Sequence, residues 1–127
     1  MKTIKMLFLL LVFINANELK WYELNNEQKK VAKIIYRIVD DKDERIALIA
    51  IAFQESKLGK LPINIQDPSC GIFHIFLPVY LNSKNITDNA YNRNLHCSEL
   101  INDTVLSTKV ALENFHFWKN YHKGNLD

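Results

Sequence analysis

Ile46 to Phe53 is an unbroken apolar run, and a carboxylate, Glu55, follows it after one polar residue, Gln54. On a helix, Glu55 shares a face with Ala52, Ile51 and Leu48, three, four and seven positions back. A carboxyl beside apolar surface loses hydration, which disfavours the ionised form and raises its pKa. An acid kept protonated near neutrality suits general acid catalysis. The turn formers Gly59, Pro62, Asp67, Pro68 and Gly71 follow at once. A helix opening into such an irregular stretch suits a cleft. The alternative is an ordinary last-turn Glu facing water, and position alone favours it.

The other reactive side chains form no second centre in the sequence. His74, His96, His116 and His122 lack the paired short spacings of a zinc motif, so no metal is expected. His116 and His122 lie among Phe115, Phe117, Trp118 and Tyr121 and read as the border of an aromatic helix face. No Ser-His-Asp or Cys-His arrangement can be read, and nothing calls for a cofactor. Cys70 and Cys97 are the only cysteines and form the disulfide candidate.

The elements that must position Glu55 are helical. Val31, Ile34, Ile35, Ile38 and Val39 repeat at helical spacing, with Lys29, Lys30, Lys33 and Arg37 opposite. This predicts an amphipathic helix over 27–39, capped by Asn25 or Asn26. Asp41 or Asp43 caps the next helix, predicted over 43–57. Its apolar run makes it a buried central helix. Residues 58–78 are irregular, with 72–77 open to a strand or a helical turn. The Asn-rich stretch 82–94 reads as a surface loop. From Ser98, the residues Ile101, Val105, Leu106, Val110, Phe115 and Trp118 predict one last helix ending near Gly124. The fold class is therefore mainly α: a small helical domain with a buried central helix and an irregular cleft-lining segment.

A chain of 127 residues suits one domain, and 48% hydrophobic content is enough to build a core. Lys2 and Lys5 precede the apolar run Met6 to Ile14, and Asn15-Ala16 follows. That is the pattern of a secretory signal peptide over 1–16, leaving a domain over 17–127. The run of nine is too short to span a hydrocarbon layer of ~30 Å; a retained N-terminal anchor helix is the second reading. Removing 1–16 takes away two lysines and no acid, leaving 14 basic and 14 acidic residues. A chain of zero formal charge does not rely on attraction to nucleic acid. Export to a periplasmic or secreted location would let Cys70 and Cys97 pair in an oxidising compartment.

Two stretches carry a resemblance. Ile49-Ala50-Ile51-Ala52-Phe53-Gln54-Glu55-Ser56-Lys57-Leu58-Gly59 resembles the first motif of the lytic transglycosylases of the goose-lysozyme-like family, in which a Glu-Ser pair ends a buried helix. Ser69-Cys70-Gly71-Ile72-Phe73-His74-Ile75 resembles the second motif, in which Ser, any residue and Gly precede two apolar residues, a Gln and an aliphatic residue. The order and separation of the two also fit. Asp103 with Leu106 to Ala111 resembles the stretch leading into the family's next helix. The likeness runs from about Asn26 to Asn125.

The resemblance implies a lysozyme-like fold and cleavage of the β-1,4 bond between N-acetylmuramic acid and N-acetylglucosamine, with a 1,6-anhydro product. It assigns Glu55 the roles of acid, then base. It assigns substrate binding to Ser56, Ser69, Gly71, Ile72 and His74, with Phe73 or Tyr80 as an aromatic surface or core packing. Its partners would be peptidoglycan glycan strands, beside a secretion-system or other envelope assembly. His74 stands where the family has Gln. The family's later Tyr-Asn motif falls after the helix that Thr104 to Tyr121 resembles, and the sequence reaches Asp127 first. The expected domain is thus short at its C-terminus. Two other readings compete. A hydrolytic muramidase would need a water-activating carboxylate, for which Asp67 and Asp88 are the candidates. A non-catalytic wall-binding relative would need none.

Overall fold

In the computed structural model, which describes residues 19–125, the domain is mainly helical with one small sheet. The expected leader, 1–16, lies outside the described residues. After a 3-10 turn at Trp21–Glu23 come helices α1 (Asn26–Ile38) and α2 (Lys42–Ser56). Three two-residue strands follow: β1 (Ile63–Asn64), β2 (Ser69–Cys70) and β3 (Ile75–Phe76). Helices α3 (Leu77–Ser83), α4 (Ala90–Asn102) and α5 (Thr104–Asn125) complete the described chain.

The helix starts follow local chemistry. The Asn25 side chain accepts from Gln28 N while the Gln28 side chain accepts from Asn25 N, a reciprocal cap that satisfies two otherwise unpaired donors. Asp41 accepts from Glu44 N and starts α2. Ala32 and Ile35 then line the inner side of α1, with buried Val39 just past its end, and the helix packs on α2 and α5. Helix α2 is less enclosed than its run of apolar residues predicts. Ala47, Leu48, Ala50 and Ala52 are buried, but Ile46 is 50% exposed. Ile49, Ile51 and Phe53 are only partly covered, because a domain this small cannot wrap a helix on all sides.

The region expected to be irregular is a tight antiparallel sheet in the order β1-β2-β3. Ile63 faces Cys70, and Cys70 faces Ile75; Asn64 faces Ser69, and Ser69 faces Phe76. The strands are too short to carry a periodicity of their own. The stretch 72–77 resolves into a turn, the strand β3 and the first residue of α3.

The Asn-rich stretch is not simply a loop. Its first residues end α3, and α4 begins at Ala90, where Asn89 accepts from Asn92 N. The single last helix also corrects to two, α4 and α5, parted at Asp103. Asp103 ends α4 through its N–H to Glu99 O and caps α5 by accepting from Leu106 N. One side chain that offers the backbone an alternative partner is enough to break a helical period.

The disulfide Cys70–Cys97 ties β2 to α4, with the two Cα atoms 5.3 Å apart and 27 positions apart in sequence. In the chain-entropy account, closing such a loop stabilises by ~3–4 kcal/mol. Beside it, Gly71 adopts φ +85°, and a Cβ there would lie 2.9 Å from Leu100 O and 3.0 Å from Ser107 Oγ. Ser107 Oγ itself donates to Leu100 O. The sheet therefore seats on the α4–α5 elbow at a point with no room for a side chain. Gly71→Ala should destabilise the domain by ~1–3 kcal/mol, through the left-handed backbone and the contact with a carbonyl. Urea titration checks this: the midpoint should fall with the slope unchanged.

Candidate active site

Helix α2 ends in an unusual way. Lys57 and Leu58 both take left-handed conformations, with φ 55° and 56°, before Gly59 at φ +90°. Non-glycine residues hold such angles only when their surroundings fix them. Here Leu58 is 1% exposed and anchors the turn in the core. Lys57 N donates to Phe53 O, Leu58 N to Ala52 O, and Leu61 N to Ser56 O. From α1, the Gln28 amide donates to Lys57 O at 2.9 Å. Gln28 thus caps α1 and holds the turn that follows Glu55.

Ser56 joins this turn to the segment that runs from Ser69 to Ile75. Its hydroxyl is fully buried, accepts from Gly59 N at 2.8 Å and sits 2.6 Å from Ile72 O and 3.1 Å from Ala52 O. Its one hydrogen is thus directed to backbone carbonyls. The resemblance assigns Ser56 to substrate binding; in the structure its hydroxyl joins two segments of the main chain. Gly71 and Ile72 are likewise turned to the interior. Gly71 meets the α4–α5 elbow, its N–H donates to Pro62 O, and Ile72 is 4% exposed with its carbonyl taken by Ser56. Ser69 is buried in β2, and Phe73 and Tyr80 are core residues. Of the expected contact residues, His74 is the one whose side chain is paired with Glu55.

Glu55 is partly covered, with 26% of its side chain exposed, and the His74 side chain is 9% exposed. His74 Nδ1 lies 3.5 Å from Glu55 Oε2, and His74 Nε2 lies 2.7 Å from Leu61 O. Burial pushes the Glu55 carboxyl above its ordinary value, opposed by the charge and hydrogen bond of His74 and aided by the negative charge of Asp67. Asp67 stands in the turn between β1 and β2. Asp88, the other candidate carboxylate, is paired with Arg93 just ahead of α4. Nothing in the spacing of the residues marked Gln28 or Leu61 for this site. The Asn25-x-x-Gln28 pattern announces only the helix cap, and Leu61 acts through its carbonyl.

A groove of 510 Å³ runs beside this corner, lined by Leu19, Lys20, Leu24, Phe53, Lys57 and Leu61 among others. It shares Leu61 with the His74 contact, but Glu55 itself does not line it. Among the described residues, no three His, Cys, Asp or Glu side chains gather as a metal ion would require. The arrangement can hold a proton on one partly covered carboxyl, beside an imidazole of fixed orientation.

Two outcomes follow. Ser56→Ala leaves Ile72 O and Gly59 N without this partner inside the core and should cost ~1–3 kcal/mol in chemical denaturation. Glu55 has the opposite sign. Its folded value lies above 4.5, so the folded state favours its proton. That stabilisation is complete below about 4.5 and is lost as pH rises through the raised folded value. The wild-type chain should therefore lose stability relative to Glu55→Gln as pH rises across this window. Parallel denaturation curves at stepped pH read the difference; a constant gap would contradict the burial of this carboxyl.

The chain matches no protein-family model, no curated protein and no solved structure.

Proposed function

We propose that this protein is a peptidoglycan lytic transglycosylase of lysozyme-like fold, with Glu55 as acid and then base. The observation that carries the reading is Glu55 itself. It is a half-covered carboxyl whose protonated form burial favours, at the strained end of a helix, where two motif-like segments meet. Glu55 first gives its proton to the glycosidic oxygen as the C1–O bond breaks. It then takes the proton of the muramic C6 hydroxyl as that oxygen bonds to C1. One carboxyl serves both steps in turn, whereas hydrolytic glycosidases employ two. The substrate class is peptidoglycan glycan strands, with no cofactor. The Cys70–Cys97 disulfide supports a periplasmic or secreted location. Local opening of the wall for a secretion system or another envelope assembly is the setting proposed.

One observation favours a second reading. The charge of Asp67 is felt at Glu55, as a water-activating carboxylate of a hydrolytic muramidase would be.

Digestion of purified sacculi, with mass spectrometry of the fragments, tests both. Anhydro ends are expected, with Glu55→Gln lowering the rate by at least ~100-fold, the scale of a lost general acid. Reducing ends, abolished by Asp67→Asn, would replace the first reading with the second. Intact sacculi, or equal cleavage by the Glu55→Gln chain, would remove the enzymatic role.

A further inference from the structure

The His74 ring has one contact that fixes its chemistry. A carbonyl oxygen can only accept, so Nε2, 2.7 Å from Leu61 O, carries a hydrogen whether the ring is neutral or charged. The second ring nitrogen, Nδ1, then carries the lone pair of the neutral ring, and it faces Glu55 Oε2 at 3.5 Å. The ring is held there by burial and by its backbone. His74 takes φ 46°, in the left-handed region, and its N–H donates to Gly71 O in the turn between β2 and β3. Such a backbone angle in a non-glycine residue is sustained only by its surroundings.

We infer that His74 is a positioning residue that shares one exchangeable proton with Glu55, so that the two side chains act as a single acid–base unit. This rests on the proposed role of Glu55 and replaces the sugar-binding role expected of position 74. Two states hold the shared proton. In one, the Glu55 carboxyl donates to the Nδ1 lone pair; in the other, the imidazolium Nδ1–H donates to the carboxylate. Both are neutral overall, and the transfer needs the 3.5 Å between Nδ1 and Oε2 to shorten to hydrogen-bond length.

When the proton leaves for the glycosidic oxygen, a carboxylate is left facing a lone pair. The charge of Asp67, from the turn between β1 and β2, adds to the repulsion. The emptied pair is therefore a stronger base toward the C6 hydroxyl. The proton taken from that hydroxyl restores the starting state, so protons balance over the cycle. The Lys57 ammonium sits 4.7 Å over the Phe53 ring. A Gln at position 74 would donate an amide hydrogen to the carboxylate but hold no proton of its own. It would stabilise the spent form and weaken the second step.

Nuclear magnetic resonance titration of the isotope-labelled full chain tests this directly. If the pair is one unit, the Glu55 carboxyl carbon and His74 Nδ1 follow the same two inflections, as strongly coupled sites must. In Glu55→Gln, Nδ1 should show one inflection while Nε2 stays protonated. Separate inflections, with Nδ1 unmoved by Glu55→Gln, overturn the inference whatever the activity. This comparison needs no His74 variant and so survives if His74→Gln fails to fold. If His74→Gln folds, the alkaline limb of its sacculus-cleaving activity should move to lower pH, with the same anhydro products; an unmoved limb also overturns the inference. Shared inflections in a chain that leaves sacculi intact would sink the wall-cutting reading and leave the proton-sharing pair standing.

Discussion

The site depends on one buried hydroxyl. Ser56 Oγ lies between Ile72 O, Ala52 O and Gly59 N, where water has no access. A hydroxyl there can both donate and accept, and so satisfies a carbonyl of one segment and an N–H of another. Leaving either unpaired in the core would cost more than the bond itself is worth. The bridge fixes the end of α2 against the turn that carries His74. Glu55 and His74, each adjacent to a bridged segment, meet as a consequence. The pair of letters Glu-Ser is thus a division of labour: one side chain fastens the main chain, and its neighbour remains available for chemistry.

A second set of contacts fixes the other end of the same turn. Gly71 fits where the carbonyl of Leu100 and the hydroxyl of Ser107 leave no space for a Cβ, and Cys70 beside it is bonded to Cys97. The sheet is only two residues deep on each strand, so its own hydrogen bonds could not hold it alone. The covalent link and the tight seat on the α4–α5 elbow do so instead. Strain follows from this arrangement. Lys57, Leu58 and His74 all occupy left-handed backbone, and all three lie within the segments that frame Glu55. Local strain is characteristic of places where geometry serves something other than stability.

The charge balance at Glu55 is a contest between burial and one neighbour. Burial favours the neutral acid more strongly than His74 favours the carboxylate, and Asp67 adds to the side of burial. Had a fixed cation stood at position 74, the carboxyl would be held ionised and unfit as an acid. Imidazole avoids this because its own charge can vary. The departure of His74 from the Gln of the resembled motif therefore changes the character of the site without emptying it.

Much of the frame was legible from local chemistry. Helical spacing and the caps Asn25 and Asp41 set α1 and α2 to within a residue or two, because capping and amphipathic periodicity act over one or two turns of chain. The two cysteines and the carboxyl after the apolar run were also visible as residue types in place. What spacing alone missed was of two kinds. The break at Asp103 and the start of α4 after Asn89 are local caps hidden within apolar spacing and an Asn-rich stretch, whereas the exposure of Ile46 depends on which surfaces the rest of the domain covers. Ser56, Gly71 and Ile72 carry letters that suit a ligand cleft, yet their partners, Ile72 O for Ser56 and the elbow for Gly71, turn them inward. The sequence by itself determined which groups the chain possesses and the local turns they prefer. Only the tertiary structure decided which of them spend their hydrogen bonds on the fold, because a polar group's partner 16 or 29 residues away leaves no periodic trace in the chain.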